Sequence, residues 1–545
     1  MSGIPSVSEL TELCLSFNKR VTEGIQKHML QSGASFEGLS GIQHSLIQME
    51  QTLTESARLL RFQHNMCAPI GCLSNEIISE IMLICIQDQH ADQDERIRDR
   101  SLSQQQNRQH PPLTLSPTFT LCSRWRAIAL HSPSLWSTIY LPWASKLLPV
   151  FLDRSGSLPL TVVVSNGHIF KSDNPDLELA QLAKDICRLI PRLSNMEVVW
   201  KSGSPESTGV DHFFQDIIGP VEFTLLKSLT VVDNTFHGGR GFSVDIPALQ
   251  AFAYQGVTSS MPRCTGSSVV KLLLELQRCY MDPDSILNLL MEMPCLEDCN
   301  ILDVKTVPRG GLSGRSVVAL PRLKGLGLYT FTLTSMAYIL EHIEMPASTT
   351  LALNTVGHPS DTVVLENFLG PYIRTCNELT IIEQQVETIY AFTEKSGREV
   401  HIRHSWFRER WGRIASLAKL SSFGCDLKVL DLEIKSFPQL SELIQALSTW
   451  TSLTNIVVQT DAVVHLDTLF SVLERTPDVL CPLLQMVDCV GTPFHMKRVE
   501  KFLRFRNGVG LKELRLSSHL SDAKSKLEWH RFLGRVSSLS ELILE

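Results

Sequence analysis

One short pattern recurs from about residue 190 to the end of the chain: Leu-x-x-Leu-x-Leu, with conservative replacements. Copies stand at Leu193/Met196/Val198, Leu226/Leu229/Val231, Leu249/Phe252/Tyr254, Val269/Leu272/Leu274, Leu296/Cys299/Ile301 and Leu323/Leu326/Leu328. Others stand at Leu427/Leu430/Leu432, Leu453/Ile456/Val458, Leu484/Val487/Cys489, Leu511/Leu514/Leu516 and Leu539/Leu542/Leu544. Degenerate copies fit at Leu351/Leu353, Leu379/Ile381 and Val400/Ile402. First positions are separated by roughly 20 to 33 residues, a period typical of repeat architectures. Alternating apolar residues make a short strand with one face toward the core. Between them, Ile286–Leu290, Met336–Leu340 and Leu440–Ile444 carry the spacing of a returning helix. No such unit buries its apolar face alone, so neighbours must stack. The expected fold is α/β, a solenoid over residues 193–545 with a parallel sheet on its concave side. Residues 383–426 fit worst and are expected to hold an excursion.

Upstream the pattern is helical. From Leu39 the apolar positions fall at Ile42, Leu46, Met49 and Leu53, then Ser56 and Leu60, the alternating three-and-four spacing of a coiled-coil seam. A weaker pattern runs through Leu10, Leu13, Phe17, Val21 and Ile25, and Gly33, Gly38 and Gly41 are expected to separate the two helices. Residues 1–66 thus read as a helical lead-in, either a hairpin packed on its own chain or a dimerising coiled coil. Residues 67–142 hold two apolar helices. In the first, Ser74 is a natural N-cap with Glu76 in the first turn; Leu73, Ile77, Ile81 and Ile84 share one face, and Ile78 and Met82 the next. The second carries Leu121, Cys122, Trp125, Ile128 and Ala129 on one face, then Pro133-Ser134-Leu135-Trp136. Between the two, residues 87–117 are polar and of mixed charge, a composition that predicts disorder. Residues 143–192 are left as a linker and a first strand/helix unit.

The two apolar helices carry a resemblance. Leu73-Ser74-Asn75-Glu76-Ile77-Ile78-Ser79-Glu80-Ile81 resembles the opening of an F-box, and Cys122-Ser123-Arg124-Trp125-Arg126 with Pro133-Ser134-Leu135-Trp136 resembles its close. Phe151-Leu152-Asp153-Arg154-Ser155-Gly156-Ser157-Leu158-Pro159-Leu160 is similar to the segment that follows the F-box in many fungal members, and the downstream array resembles their leucine-rich repeats without the asparagine ladder of regular ones. The departures are Ser74, where the family usually has Pro, and the polar insert. The resemblance implies a module of three short helices that docks on the Skp-type adaptor of a cullin-RING ubiquitin ligase through Pro69, Ile70, Leu73, Ile77, Ile81, Cys122, Trp125, Leu135 and Trp136, while the repeats take a protein target. A second reading keeps the repeats as a non-ligase interaction scaffold, with the helical module only its N-terminal cap.

Catalytic constellations are absent from this pattern. Pro308 to Arg315 is Gly-rich but lacks the Gly-Lys-Ser/Thr ending of a phosphate loop. His401 and His404 straddle Arg403 at a spacing that suits neither a zincin nor a cysteine–histidine pair, and read as loop or strand-edge histidines. Fourteen cysteines occur without one C-x-x-C, which argues against a zinc ribbon and for reduced thiols. No enzyme activity and no cofactor or metal is therefore expected. Arg403, Trp406, Arg408, Arg410 and Trp411 interleave basic and aromatic side chains and are candidate ligand contacts. Lys497, Arg498, Lys501, Arg504 and Arg506 recur at helical spacing and read as a solvated face. The net charge of −7 gives no reason to expect nucleic acid as partner. No apolar run approaches the ~20 residues that cross a bilayer, and no secretory start is visible. The expected location is cytoplasmic or nuclear.

Overall fold

The computed structural model describes residues 7–31, 36–67, 72–85, 122–142, 145–167, 169, 174–201, 209–235, 243–256, 261, 263–265, 268–276, 282–302, 317–357, 362–406, 414–475, 479–517, 520–522, 526–536 and 541–544. It forms two compact units: Met1–Trp136 with Leu152–Gly156, and Ser137–Phe151 with Ser157–Glu545.

The first unit is helical. Helix α1 spans Val7–Gln31 and α2 spans Phe36–Cys67. Gly38 and Gly41, expected between the two, lie inside α2; an added Cβ at Gly41 would meet nothing. An exposed helix absorbs such a glycine for about 1 kcal/mol. Along the described part of the seam Leu46, Leu53 and Leu60 are exposed. Helix α3 covers 75–85, α4 covers Ser123–His131, and a 3-10 turn follows at Pro133–Trp136. The polar insert, 87–117, lies outside the described residues.

The second unit is built on one 17-stranded sheet. Its strands are β1 (Thr138–Leu141), β2 (Leu160–Ser165), β3 (Leu193–Lys201), β4 (Ser228–Asn234), β5 (Ala251–Gly256) and β6 (Lys271–Leu276). Then come β7 (Asp298–Leu302), β8 (Gly325–Thr332), β9 (Thr350–Gly357), β10 (Cys376–Glu383), β11 (Glu387–Glu394) and β12 (Glu399–Trp406). The last five are β13 (Val429–Glu433), β14 (Asn455–Gln459), β15 (Met486–Cys489), β16 (Glu513–Leu516) and β17 (Glu541–Leu544).

The repeat pattern explains the stacking. Leu229, Phe252, Leu272, Cys299, Leu326 and Leu351 stand opposite one another on successive strands, and so do Leu430, Ile456, Val487 and Leu514. Every pattern residue from Leu193 to Leu516 is at most 7% exposed. Helices Pro283–Met291, Leu333–Glu341 and Leu440–Thr449 return the chain where helical spacing was read. The ladder continues below each strand: Lys324 N–H donates to Glu297 O at 2.7 Å and Thr350 N–H to Lys324 O at 2.8 Å.

Three features depart from the reading of the sequence. The sheet begins at Thr138, inside the segment given to the module and ahead of the strand/helix unit read in 143–192. Strands β1 and β2 alternate Ile139/Leu141 and Leu160/Val162/Val164 inward without the Leu-x-x-Leu-x-Leu signature, and they pair in parallel.

The excursion expected over 383–426 is a meander. Strands β1 to β9 and β13 to β17 are parallel and in chain order. Between them the order is β9–β12–β11–β10–β13, with β11 antiparallel to both its neighbours. Two reversals restore the original direction, so parallel stacking resumes at β13. Two side chains secure the chain as it leaves this meander: the buried Tyr390 hydroxyl accepts from Ala415 N–H at 2.7 Å and Glu366 accepts from Ser416 N–H at 3.1 Å.

The asparagine ladder has heterogeneous substitutes at or just past the strand ends. Buried Asn166 exchanges two bonds with the backbone of Lys201, at 2.9 and 2.7 Å. Asp233 accepts from Thr235, Glu383 from Lys435 and Ser436, and Thr492 from Thr460 N–H at 3.0 Å. The hydroxyl of Ser517 accepts from Gly491 N–H, whose φ of +82° suits glycine. Each rung satisfies polar backbone groups that would otherwise be buried at a cost of about 1–3 kcal/mol.

Candidate protein-docking site

The site is built on α3. Ser74 caps it, its hydroxyl accepting from Ile77 N–H at 3.4 Å. Its own backbone N–H, joined by the Ser74 hydroxyl, holds the Glu76 carboxyl below the usual carboxylate range. Helix α4 lies beside this start because Arg124 reaches across: its guanidinium donates to Leu73 O at 2.6 Å and to Asn75 Oδ1 at 3.1 Å. The two segments flanking the polar insert are therefore held directly to each other.

Residues expected to face an adaptor divide into two sets. Trp125, Leu135 and Trp136 are buried. The Trp136 indole N–H donates to Ala129 O at 2.7 Å, and the Arg154 guanidinium stacks 4.4 Å above the Trp136 ring. Cys122 is half-buried at the N-cap of α4, its carbonyl accepting from Arg126 N–H at 3.0 Å. On α3 the two apolar faces separate cleanly. Ile78 and Met82 are fully buried, while Ile77 is 49% exposed and Ile84 47% exposed. Leu73 and Ile81 are half-buried beside them. The result is an aliphatic strip along one side of α3 that the chain itself leaves partly uncovered. Pro69 and Ile70 lie outside the described residues.

The second candidate site comes together only in part. His401, Arg403 and His404 lie within β12, not in a loop or at a strand edge. Arg403 pairs with Glu387 at 3.5 Å and His401 with Glu399 at 3.6 Å, while His404 is buried and its Nδ1 meets the Thr355 hydroxyl at 2.6 Å. Arg408, Arg410, Trp411 and the Trp406 side chain lie outside the described residues, as does the Gly-rich stretch 308–315.

The basic run on helix Met496–Arg506 is not simply a solvated face. Arg498 and Lys501 both meet Glu474, and Arg504 meets Glu500. Arg506 is fully buried and donates to three carbonyls, those of Leu473, Leu480 and Cys481, at 2.8, 2.7 and 3.3 Å. Burial lowers its pKa.

Among the described residues no group of His, Cys, Asp and Glu could hold a metal ion, and no helix is long and apolar enough to cross a membrane. An open cavity of about 620 Å³ lies along helix Pro175–Leu189, lined by Asp176, Lys184, Cys187, His212 and Asp216.

No family model and no curated protein sequence matches the chain. Solved structures similar to it include an internalin from Listeria monocytogenes, at 10% identity and a TM-score of 0.24, covering 59% of this chain and 81% of that one. Another is the Rad7 and Elc1 complex of yeast, at 11% identity and a TM-score of 0.21, covering 90% of this chain and 95% of that one. Likeness at this level carries no argument about site or partner. The class of protein rests on the strand–helix repeat itself: an α/β solenoid with a mostly parallel sheet, preceded by a helical unit.

Proposed function

We propose that the chain is a substrate-recognition subunit of a cullin-RING ubiquitin ligase. The α3–α4 module would dock on a Skp-type adaptor, and the solenoid would hold a protein target. The observation that carries this reading is the strip of Ile77, Ile81 and Ile84, left partly uncovered while Ile78 and Met82 are sealed. Within it, Ile77 and Ile81 are positions that the F-box resemblance assigns to the adaptor. In this role the protein performs no covalent chemistry; it raises the concentration of a target beside a ligase. Its place would be the cytoplasm or the nucleus.

Co-expression with a Skp-type adaptor and capture of the complex tests this. Wild type should retain the adaptor, and Ile77→Ala/Ile81→Ala should weaken capture by about 10-fold or more, as loss of interface anchors does. Trp125→Ala is a poorer probe, because that ring is buried. Equal capture by the double variant, or no capture by wild type, would favour the non-ligase scaffold with the module as its cap.

A further inference from the structure

Helix α2 is long and almost bare. Every residue from 43 to 61 is exposed apart from the half-buried Met49. A helix in a folded protein gains most of its stability from a covered apolar face rather than from propensity. Propensity is modest here, since Gly38, Gly41, Ser45, Thr52 and Thr54 all lie within α2. Its apolar face is nevertheless regular. Leu39, Leu46, Leu53 and Leu60 recur every seven residues, and Ile42, Met49 and Ser56 stand three residues after the first three of them. Leu53 is 49% exposed and Leu60 65% exposed, so the chain itself leaves this seam uncovered.

The seven-residue period says what kind of surface fits. On a helix of 3.6 residues per turn such a seam drifts by about 20° per heptad, and a second helix of the same period, supercoiled with it, keeps the seam closed. Helix α1 has a different period. Its apolar positions Leu13, Phe17, Val21 and Ile25 are each four apart, a line that drifts the opposite way by about 40° per step. Leu13 and Phe17 are themselves exposed. The chain therefore supplies one helix of a coiled coil, and α2 of another copy is the helix that matches its period.

Three further observations fit a second copy. The positions flanking the seam are Gln43, Ser45, Glu50, Thr52, Ala57 and Leu59, a single charge among them, so two copies meet without rows of like charge. Ser56, the polar residue in the seam, donates its hydroxyl to Thr52 O at 2.8 Å within its own helix, so closing the seam over it orphans no donor. The 32 residues of α2 span about 48 Å, and half the girth of a helix ~10 Å wide is about 16 Å. That face, about 770 Å², approaches the ~800 Å² per partner of a specific interface.

We propose that the chain forms a homodimer through α2, its leucine seam closed by the same seam of a second copy. The dimer carries two solenoids and two α3 strips, so a partner engaged at one meets the other at raised effective concentration. The pairing does not depend on what the α3 strip binds.

Sedimentation equilibrium of the full-length protein at micromolar concentration tests this. The mass should be twice the 61.1 kDa of one chain. Leu53→Asp/Leu60→Asp should weaken self-association by about 100-fold, as loss of central anchors does. Ile47→Asp removes an aliphatic side chain of similar exposure, 46%, that lies off the seam, and should leave the mass that of a dimer. A loss alone could reflect a helix that no longer forms, so Ser56→Leu supplies the opposite arm. It adds apolar surface to the seam and should tighten pairing by about 10-fold with the mass still that of two chains. A single-chain mass, a trimer or larger assembly, equal weakening by Ile47→Asp, or no tightening by Ser56→Leu would overturn the proposal.

Discussion

Apolar residues meet two different fates in this molecule. In the solenoid the repeat leucines are saturated with neighbours, each strand's inward positions lying opposite those of the next. In α3 an equally apolar stretch is divided, Ile78 and Met82 inward and Ile77 and Ile84 outward. The difference separates residues that hold the fold from residues free to meet something else. The same side chain, isoleucine, serves both ends within one turn of helix, so hydrophobicity alone says nothing about which role a position has.

Mutation can break that distinction or sharpen it. The largest effect is expected where the ladder is saturated: Leu326→Ala should cost about 2–5 kcal/mol and lower the thermal midpoint markedly, whereas Ile84→Ala should stay within about 0.5 kcal/mol. Equal losses at the two positions would mean that the α3 strip is core after all. A smaller effect is expected at Arg124. Removing its two bonds to the start of α3 with Arg124→Ala should cost about 1–3 kcal/mol and speed amide exchange across 75–85, with exchange in β13–β16 unchanged. Unaltered exchange in α3 would show that the two helical segments do not depend on this tie.

The smallest effect is expected on the sheet's open face. Burial, reinforced by Glu433 and Asp488, raises the Asp431 carboxyl above its usual value of 3.8. A raised carboxyl favours folding in its protonated form, so its contribution is present at acid pH and is lost as pH rises through the folded-state value. Asp431→Asn should therefore raise the thermal midpoint at pH 7, and the gain should shrink as pH falls through the raised folded-state value and be gone below 3.8, the unshifted value. A gain that grew on acidification would contradict that sign.

The repeat leucines made most of the solenoid legible, because a period-two strand needs the same residue type at each level. Strand β1 escaped because Ile139 and Leu141 alternate there without the repeat signature, whereas β2 falls in the stretch read as a first strand/helix unit. The polar rungs escaped for a different reason: Asn166, Glu383, Thr492 and Ser517 share a position and a task but no chemistry a pattern would gather. Arg506 sat in a run with ordinary solvated spacing, and only the three carbonyls around it, from chain segments 25 to 33 residues away, reveal its burial. In α3 the sequence showed two apolar faces; which of them the rest of the chain covers depends on tertiary packing that no local spacing encodes.

The meander has a consequence for how this chain can change over time. Leu351 pairs with Val400 across 49 positions, while ordinary neighbours such as Leu430 and Ile456 are 26 apart. A duplicated or deleted unit at the far end of either stack alters one seam only. A unit gained or lost beside β9 or β13 must preserve the three-strand reversal as well, since a slip of one residue would turn every inward side chain outward. The splice is thus the one stretch where this otherwise modular ribbon has little freedom to grow or shrink.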